Sequence, residues 1–242
     1  MILMLGDIHG NFKYLRHFLK EKQVTDCAII QVGDFGIGFT SDENDRNAMT
    51  DLNVFLMERN ITMYAIRGNH DNPKCFDGSW KWSNLHLVPD YTVLNLDGKN
   101  ILLIGGAISI DRQPRIVENR AAAKYGSRRR YYWSDEKVVF NEEFIKNVRG
   151  IDILVTHTAP DFCLPSNKFG FGSLVDEFAE GDKTLKVELT EEREILADIC
   201  DLLNENNRIE KHYYGHFHTS NTEIIANCEH ILLNINELKE LR

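Results

Sequence analysis

Three apolar runs early in the chain end in the same way, at a glycine followed by a side chain that offers a metal-capable oxygen. Ile2–Leu5 stops at Gly6-Asp7, Cys27–Val32 at Gly33-Asp34, and Ile61–Ile66 at Arg67-Gly68-Asn69. Between these runs lie segments with helical spacing. One carries Phe12, Leu15, Phe18 and Leu19 behind Asn11, a candidate N-cap, and the other carries Met49, Leu52, Phe55 and Leu56. Short continuous apolar runs read as buried strands, and strands that alternate with amphipathic helices build a parallel sheet.

The pattern changes after residue 84. Leu85–Val88, Thr92–Leu96 and Asn100–Ile104 are short and close together. Asp97-Gly98 between the last two signals a hairpin, because both residues tolerate positive φ. Antiparallel pairing is therefore expected to follow the parallel part. Residues 110–135 show no apolar period and read as a long loop or insertion, a kind of segment that often carries function. Glu136–Val148 resumes a helical pattern, and Ile151–Val155 reads as a strand ending at Thr156-His157. Residues 163–185, with Gly170, Gly172 and Gly181, read as irregular. Thr190 is placed as the N-cap of a helix carrying Ile195, Leu196, Ile199, Leu202 and Leu203, with Glu191–Glu194 as a solvated first turn. His212–Tyr214 and Ile231–Ile235 close the series as strands. No linker divides the chain, so the expectation is a single α/β domain over 1–242 with an insertion at about 109–136.

Bulk properties narrow the function. The formal charge of −9 opposes broad, non-specific binding to a nucleic-acid backbone. Cys27, Cys75, Cys163, Cys200 and Cys228 are odd in number and form no C-x-x-C pair, which argues against a disulfide scaffold or a zinc ribbon and for a reducing, cytoplasmic location. The first residues carry no signal-peptide pattern, and no apolar stretch approaches the roughly 20 residues that cross a bilayer.

Five blocks carry the chemistry: Gly6-Asp7-Ile8-His9-Gly10, Gly33-Asp34-Phe35-Gly36, Gly68-Asn69-His70-Asp71, Thr156-His157 and Gly215-His216-Phe217-His218. Each follows a strand, and ligands of α/β sheets bind beyond the carboxyl ends of strands. Asp7/His9 and His216/His218 are spaced i, i+2, which in extended chain puts both side chains on one side. Taken singly, Asp7 and Asp34 read equally well as turn carboxylates that cap a helix, and each histidine as a structural one. Together they form a carboxylate, amide and imidazole set without thiolate, which suits a hydrolytic centre better than a structural zinc site. His17, His86, His212 and His230 receive no role.

The series GDIHG, GDFG, GNHD, TH and GHFH, spread in order over residues 6–218, resembles the calcineurin-like metallophosphoesterase superfamily. The resemblance implies two packed mixed β-sheets flanked by helices. It implies two divalent or trivalent transition-metal ions, Mn, Fe or Zn with Ni also compatible. Asp7, His9 and His218 would bind the first ion and Asn69, His157 and His216 the second, with Asp34 bridging. Asn69 would also touch a phosphate oxygen. A hydroxide shared by the ions would attack phosphorus, and His70 would protonate the leaving oxygen. The substrate class is a phosphate mono- or diester, with a nucleotide or nucleic-acid end slightly favoured; a phosphoprotein phosphatase and a catalytically silent scaffold are the alternatives.

Two departures bear on the substrate. Phosphoprotein phosphatases continue the second block as Gly-Asp-x-x-Asp-Arg-Gly, whereas this chain reads Gly33-Asp34-Phe35-Gly36-Ile37-Gly38, without the phosphate-gripping Arg. The third block ends in Asp71 rather than Glu, and Asp71 reads as the end of a turn. The missing Arg must be replaced, and Arg112 or Arg115 in the basic segment Ser109–Glu136 are the candidates for a bidentate clamp. That segment also holds Arg128, Arg129 and Arg130, read as a solvated face, then Tyr131, Tyr132 and Trp133, with Asp111 and Glu136 as partners for its arginines. Its pattern, Gly105–Asp111 followed by an Arg, Trp133 and Glu136, is similar to that of small bacterial and phage members of the superfamily.

Overall fold

The computed structural model describes residues 1–165 and 172–241. Ile2–Leu5 (β1), Cys27–Gln31 (β2), Ile61–Ala65 (β3) and Leu85–Leu87 (β4) pair in parallel, and Leu238–Glu240 (β11) adds antiparallel to β1. The second sheet runs in the order β5 (Thr92–Leu96), β6 (Lys99–Ile104), β7 (Ile153–Thr156), β8 (Lys211–Tyr214), β10 (Cys228–Leu232), β9 (Asn221–Ile225). Its four central strands are parallel, and antiparallel hairpins close both ends. The β5–β6 turn has positive φ at both Asp97 and Gly98, as the hairpin signal requires.

The two sheets face one another across one apolar layer, in which Met4, Ile30 and Val32 meet Ile101, Leu103, Val155 and Tyr213. Helices α1 (Phe12–Glu21) and α2 (Asp42–Glu58) cover the outer face of the first sheet. Asn11 caps α1 by accepting from the Tyr14 amide, and Ser41 caps α2. Helices α4 (Glu142–Asn147) and α6 (Leu185–Asn204) cover the second sheet. The expected architecture of two mixed sheets flanked by helices is thus the observed one. Among the described residues no helix is long and apolar enough to cross a membrane, and all five cysteines are free and buried.

Several local expectations change. Half of the predicted loop at 110–135 is a helix, α3 (Arg112–Lys124), whose buried positions are Arg112 and Arg115. An arginine-filled buried face leaves no apolar period to read. Of Glu136–Val148 only α4 is helical. The stretch predicted irregular at 163–185 contains α5 (Gly172–Gly181); Gly170 lies outside the described residues. Helix α6 begins at Leu185, so Thr190 is interior, its hydroxyl donating to the Lys186 carbonyl rather than capping. Glu192 and Arg193, assigned to a solvated turn, are buried. Glu192 accepts the amides of Ile108 and Val138, tying α6 to the segment after β6.

Candidate metal centre

All five blocks leave strand ends on the same side and meet. The convergence does not use extended chain, as the i, i+2 spacing suggested. His9, Asp34, His216 and His218 all have φ between 50° and 69°. Left-handed backbone at non-glycine residues costs about 1–3 kcal/mol each and gathers where a site demands it. Glycines make the room. A Cβ on Gly68 would lie 2.2 Å from Asp34 Oδ1 and 2.7 Å from His157 Nε2, and one on Gly215 would lie 2.2 Å from Asp7 Oδ1.

Two clusters result, and they share Asp34. Asp7, His9, Asp34 and His218 form one; Asp34, His157 and His216 form the other. In the first, His9 Nε2 and His218 Nε2 are 3.0 Å apart, and His218 Nε2 is 3.3 Å from Asp7 Oδ2. In the second, His157 Nε2 is 3.1 Å from Asp34 Oδ1 and 3.2 Å from Asn69 Oδ1. His157 Nδ1 donates to the Val32 carbonyl at 2.8 Å, which aims Nε2 at the centre. Asp7, Asp34 and His157 are fully buried, whereas His9, His70 and His218 reach solvent on one side.

The electrostatics are those of a cation site held together by protons. Burial alone would raise the Asp34 carboxyl, but the imidazoles of His157, His70 and His9 outweigh it and hold Asp34 well below the ordinary range. Burial would lower His157, yet the charge and hydrogen bond of Asp34 raise it to about 9. His9 and His216 are pushed down by burial and stay neutral, as ligands must. Two buried carboxylates, four converging imidazoles and one amide oxygen, with no thiolate, fit divalent hydrolytic metal ions.

The supporting contacts were not legible in the sequence. Asn69 Nδ2 donates to Ser109 Oγ at 3.1 Å, and Ser109 donates Oγ–H to Glu136 Oε2 and N–H to Oε1, both at 2.7 Å. The hydroxyl has one proton, and Glu136 takes it, so Ser109 Oγ accepts from Asn69. The Asn69 amide is thereby turned with its oxygen to the centre. Glu136 thus forms no salt bridge with an arginine among the described residues, although the Arg115 charge acts on it and Arg67 donates to its backbone carbonyl. Asp71 does more than end a turn: its carboxylate accepts the amides of Phe35, Gly36, Ile37 and Gly68 and so locks the second block to the third.

His70 stands at the open side. Its backbone N–H donates to Asp34 Oδ1 at 2.8 Å, and its Nε2 lies 2.6 Å from Arg115 Nη2. Arg115 is paired with Asp111 at 2.8 Å, and its Nη1 is buried without a partner. Arg112 is committed elsewhere. Its Nε meets Asp182 at 2.5 Å and its other nitrogens meet Glu188 and Thr184, so of the two predicted clamps only Arg115 faces the centre. Asp34, Asn69, His70, Arg115, His216 and His218 line a cavity of about 620 Å³, closed on its far side by apolar residues of α5 and α6, among them Val175, Phe178 and Leu189. Arg128–Arg130 are exposed, as expected, and Trp133 packs edge-on against Phe39, which neighbours His70.

Opposite outcomes follow for the two arginines. Arg112→Met removes the main partner of buried Asp182 and of half-buried Glu188, a loss worth about 3 kcal/mol, so Tm should fall by roughly 5–10 °C with KM unchanged. Arg115→Met should leave Tm within a few degrees and lower kcat/KM by about 10- to 100-fold, the loss of one charge-assisted pair. Thermal melts beside initial rates separate the two, and a collapse of Tm in the Arg115 variant sinks this assignment.

A family model described as calcineurin-like phosphoesterase matches residues 1–220. A curated relative, an uncharacterized protein of Haemophilus influenzae, is 33% identical over 112 residues, which cover 44% of this chain and 42% of that protein. The match thus spans less than half of the relative's length. Among solved structures, the phosphopantetheinyl hydrolase of Mycobacterium tuberculosis is 16% identical with a TM-score of 0.46, covering 97% of this chain and 89% of that one. A putative 5'-nucleotidase of Staphylococcus aureus is 13% identical with a TM-score of 0.47, covering 97% of this chain and 48% of that one.

Proposed function

This chain belongs to the calcineurin-like phosphoesterase family, and from that premise we propose that it is a metal-dependent phosphoric ester hydrolase, a binuclear enzyme for small phosphodiesters. The observation that carries the reading is the double membership of Asp34 in two candidate ligand clusters, which suits it to bridge two ions. Asp7, His9 and His218 would hold one ion, and Asn69, His157 and His216 would hold the other. Mn, Fe or Zn fit these ligands, and selectivity among them follows geometry and supply. Such a pair supplies Lewis-acid polarisation of the phosphoryl group and a nucleophile at neutral pH.

The chain's own residues do the rest. Arg115 binds a non-bridging phosphate oxygen with the nitrogens that now contact His70 or lack a partner. His70 stands next to that oxygen and supplies the proton for the leaving group. Asn69, held by Ser109 and Glu136, keeps its oxygen on the metal side and its nitrogen away from it. The apolar wall of α5 and α6 receives the alcohol portion and excludes water. The charge count favours a diester: of the two arginines lining the cavity, Arg115 is paired with Asp111 and Arg193 is turned to backbone carbonyls, so little beyond the metals faces a second phosphate charge. A walled cavity of about 620 Å³ suits a nucleotide-sized ester and not the surface of a folded phosphoprotein.

Metal-stripped enzyme reloaded with Mn, Fe, Zn or Ni, assayed with matched aryl phosphate diesters and monoesters and a phosphopeptide, tests this reading. Higher kcat/KM for the diester supports it. Preference for the monoester or phosphopeptide overturns the diester reading, and failure of every metal overturns the binuclear one.

Metal uptake should also depend on pH. The proton on His157 occupies the nitrogen that faces the metal, and Asp34 holds that proton up to about 9. Raising pH removes the competitor, so the half-saturating Mn concentration should fall from pH 6.5 towards 9 by up to about tenfold per pH unit for one displaced proton. The metal-free fold shows the opposite trend: the pair's stabilisation is full below the unfolded value of 6.5 and fades as pH climbs through about 9. Titrations at fixed ionic strength measure both, and a flat metal affinity removes His157 from the ligand set.

A further inference from the structure

The outer face of the second sheet carries a separate cluster, made of Cys163, His212 and His230. His212 on β8 and His230 on β10 are register partners on neighbouring parallel strands, so their side chains stand side by side. Their Nδ1 atoms are 3.1 Å apart, and Cys163 Sγ lies 3.1 Å from His230 Nδ1. All three residues are buried. They share no residue with the hydrolytic clusters.

Proton accounting shows what these atoms point at each other. Thr156 donates its one hydroxyl proton to the Thr158 carbonyl at 2.5 Å, so at 2.8 Å from His212 Nε2 its oxygen accepts. His212 therefore carries its proton on Nε2 and presents a bare Nδ1 to His230 and Cys163. Burial keeps both imidazoles neutral, the form that ligates. One hydrogen atom on His230 Nδ1 would have to serve the bare nitrogen and the sulfur together. A cation serves all three donors at once.

We propose that Cys163, His212 and His230 form a second metal site, for a thiophilic d10 ion, zinc in the first place, with its fourth position towards a neighbouring cavity. Around a tetrahedral zinc with ordinary bond lengths the nitrogens stand about 3.3 Å apart and sulfur about 3.6 Å from nitrogen; the His212–His230 and Cys163–His230 contacts, both 3.1 Å, need open by only a few tenths of an ångström, and all three ligand atoms already lie within 4.8 Å of one another. Thr156 fixes the tautomer of one ligand, as outer partners of metal sites do. The segment carrying the cysteine is anchored too: Arg193 donates to the carbonyls of Ala159, Pro160, Cys163 and Pro165. The cavity, about 160 Å³, is lined by Phe162, Cys200, Cys228 and both histidines, room for a water or one small ligand. Zinc uptake displaces the Cys163 proton, which burial holds on the thiol in the metal-free chain.

Cobalt(II) distinguishes this site from the hydrolytic one, whose donors are oxygen and nitrogen only. The metal-free full chain, titrated with cobalt(II), should develop a near-ultraviolet thiolate-to-cobalt charge-transfer band that saturates at one ion per chain. Cys163→Ala should abolish the band and lower zinc content by one per chain while phosphoesterase activity persists. His230→Gln should do the same and serves as the second variant if the first fails to fold. No band in the unaltered chain overturns the proposal, and so does a band of full intensity in Cys163→Ala.

Discussion

If Asp34 bridges two ions as proposed, Asp34→Asn should lower kcat/KM by about a thousandfold or more, because one uncharged amide cannot serve two cations as a shared carboxylate does. The substitution is isosteric, so the packing of a fully buried residue is kept. What changes is charge. Asp34 Oδ1 accepts the His70 amide at 2.8 Å and faces His157 Nε2 at 3.1 Å, while Oδ2 faces His9 at 3.7 Å. An Asn can satisfy the amide with its oxygen but then turns an NH2 group towards imidazoles that must be bare to ligate. Two measurements go with the activity. Metal content per chain should drop, and the His157 imidazole, raised to about 9 by Asp34, should titrate closer to the ordinary range when followed by NMR. A variant that keeps both metals and loses only rate would show Asp34 to be a base or an orienting group, not the bridge.

The residues that converge on the candidate centre were legible because strand-end chemistry is local. A buried strand, a glycine and a metal-capable side chain are contiguous in sequence, so GDIHG or GNHD displays both the fold position and the chemistry. The sheet alternation was legible for the same reason. What escaped reading is what depends on distant partners. Helix α3 buries Arg112 against Asp182 and Glu188, residues about 70 positions away, so its inward face looks solvated. Glu192 and Arg193 were hidden in an acid-rich turn for the same reason; their burial is repaid by backbone amides and carbonyls of other segments. The Ser109–Glu136 contact that turns Asn69 spans 27 residues, and nothing in either residue's neighbours announces it. Edge strands β9 and β11 are short and half-exposed, and their polar residues, Asn221, Thr222 and Glu223 in one and Lys239 and Glu240 in the other, are consecutive, which leaves little apolar signal.

His70→Asn should produce a loss that depends on the leaving group, of about 10²- to 10⁴-fold for an alkyl ester, the range of general acid catalysis, and far less for a nitrophenyl ester, whose oxygen departs without a proton. The unliganded ring is neutral: burial pushes it down to about 4, and the adjacent Arg115 pushes in the same direction against the pull of Asp34. Arg115 is a permanent donor, so His70 Nε2, at 2.6 Å, accepts from it. An anionic phosphate oxygen in the cavity works against the Arg115 effect in two ways. It draws Arg115 to itself, freeing Nε2, and its charge favours the imidazolium. The acid is thus armed by the substrate it serves, and water alone in the cavity meets an uncharged ring. A series of diesters with graded leaving-group pKa values decides the matter. If the variant's rates run parallel to those of the parent enzyme across the series, His70 orients Asp34 or the phosphate and donates no proton. If the variant's rates fall away steeply with the poorer leaving groups, the proton comes from His70, and Arg115→Met should then flatten that dependence far less than His70→Asn steepens it.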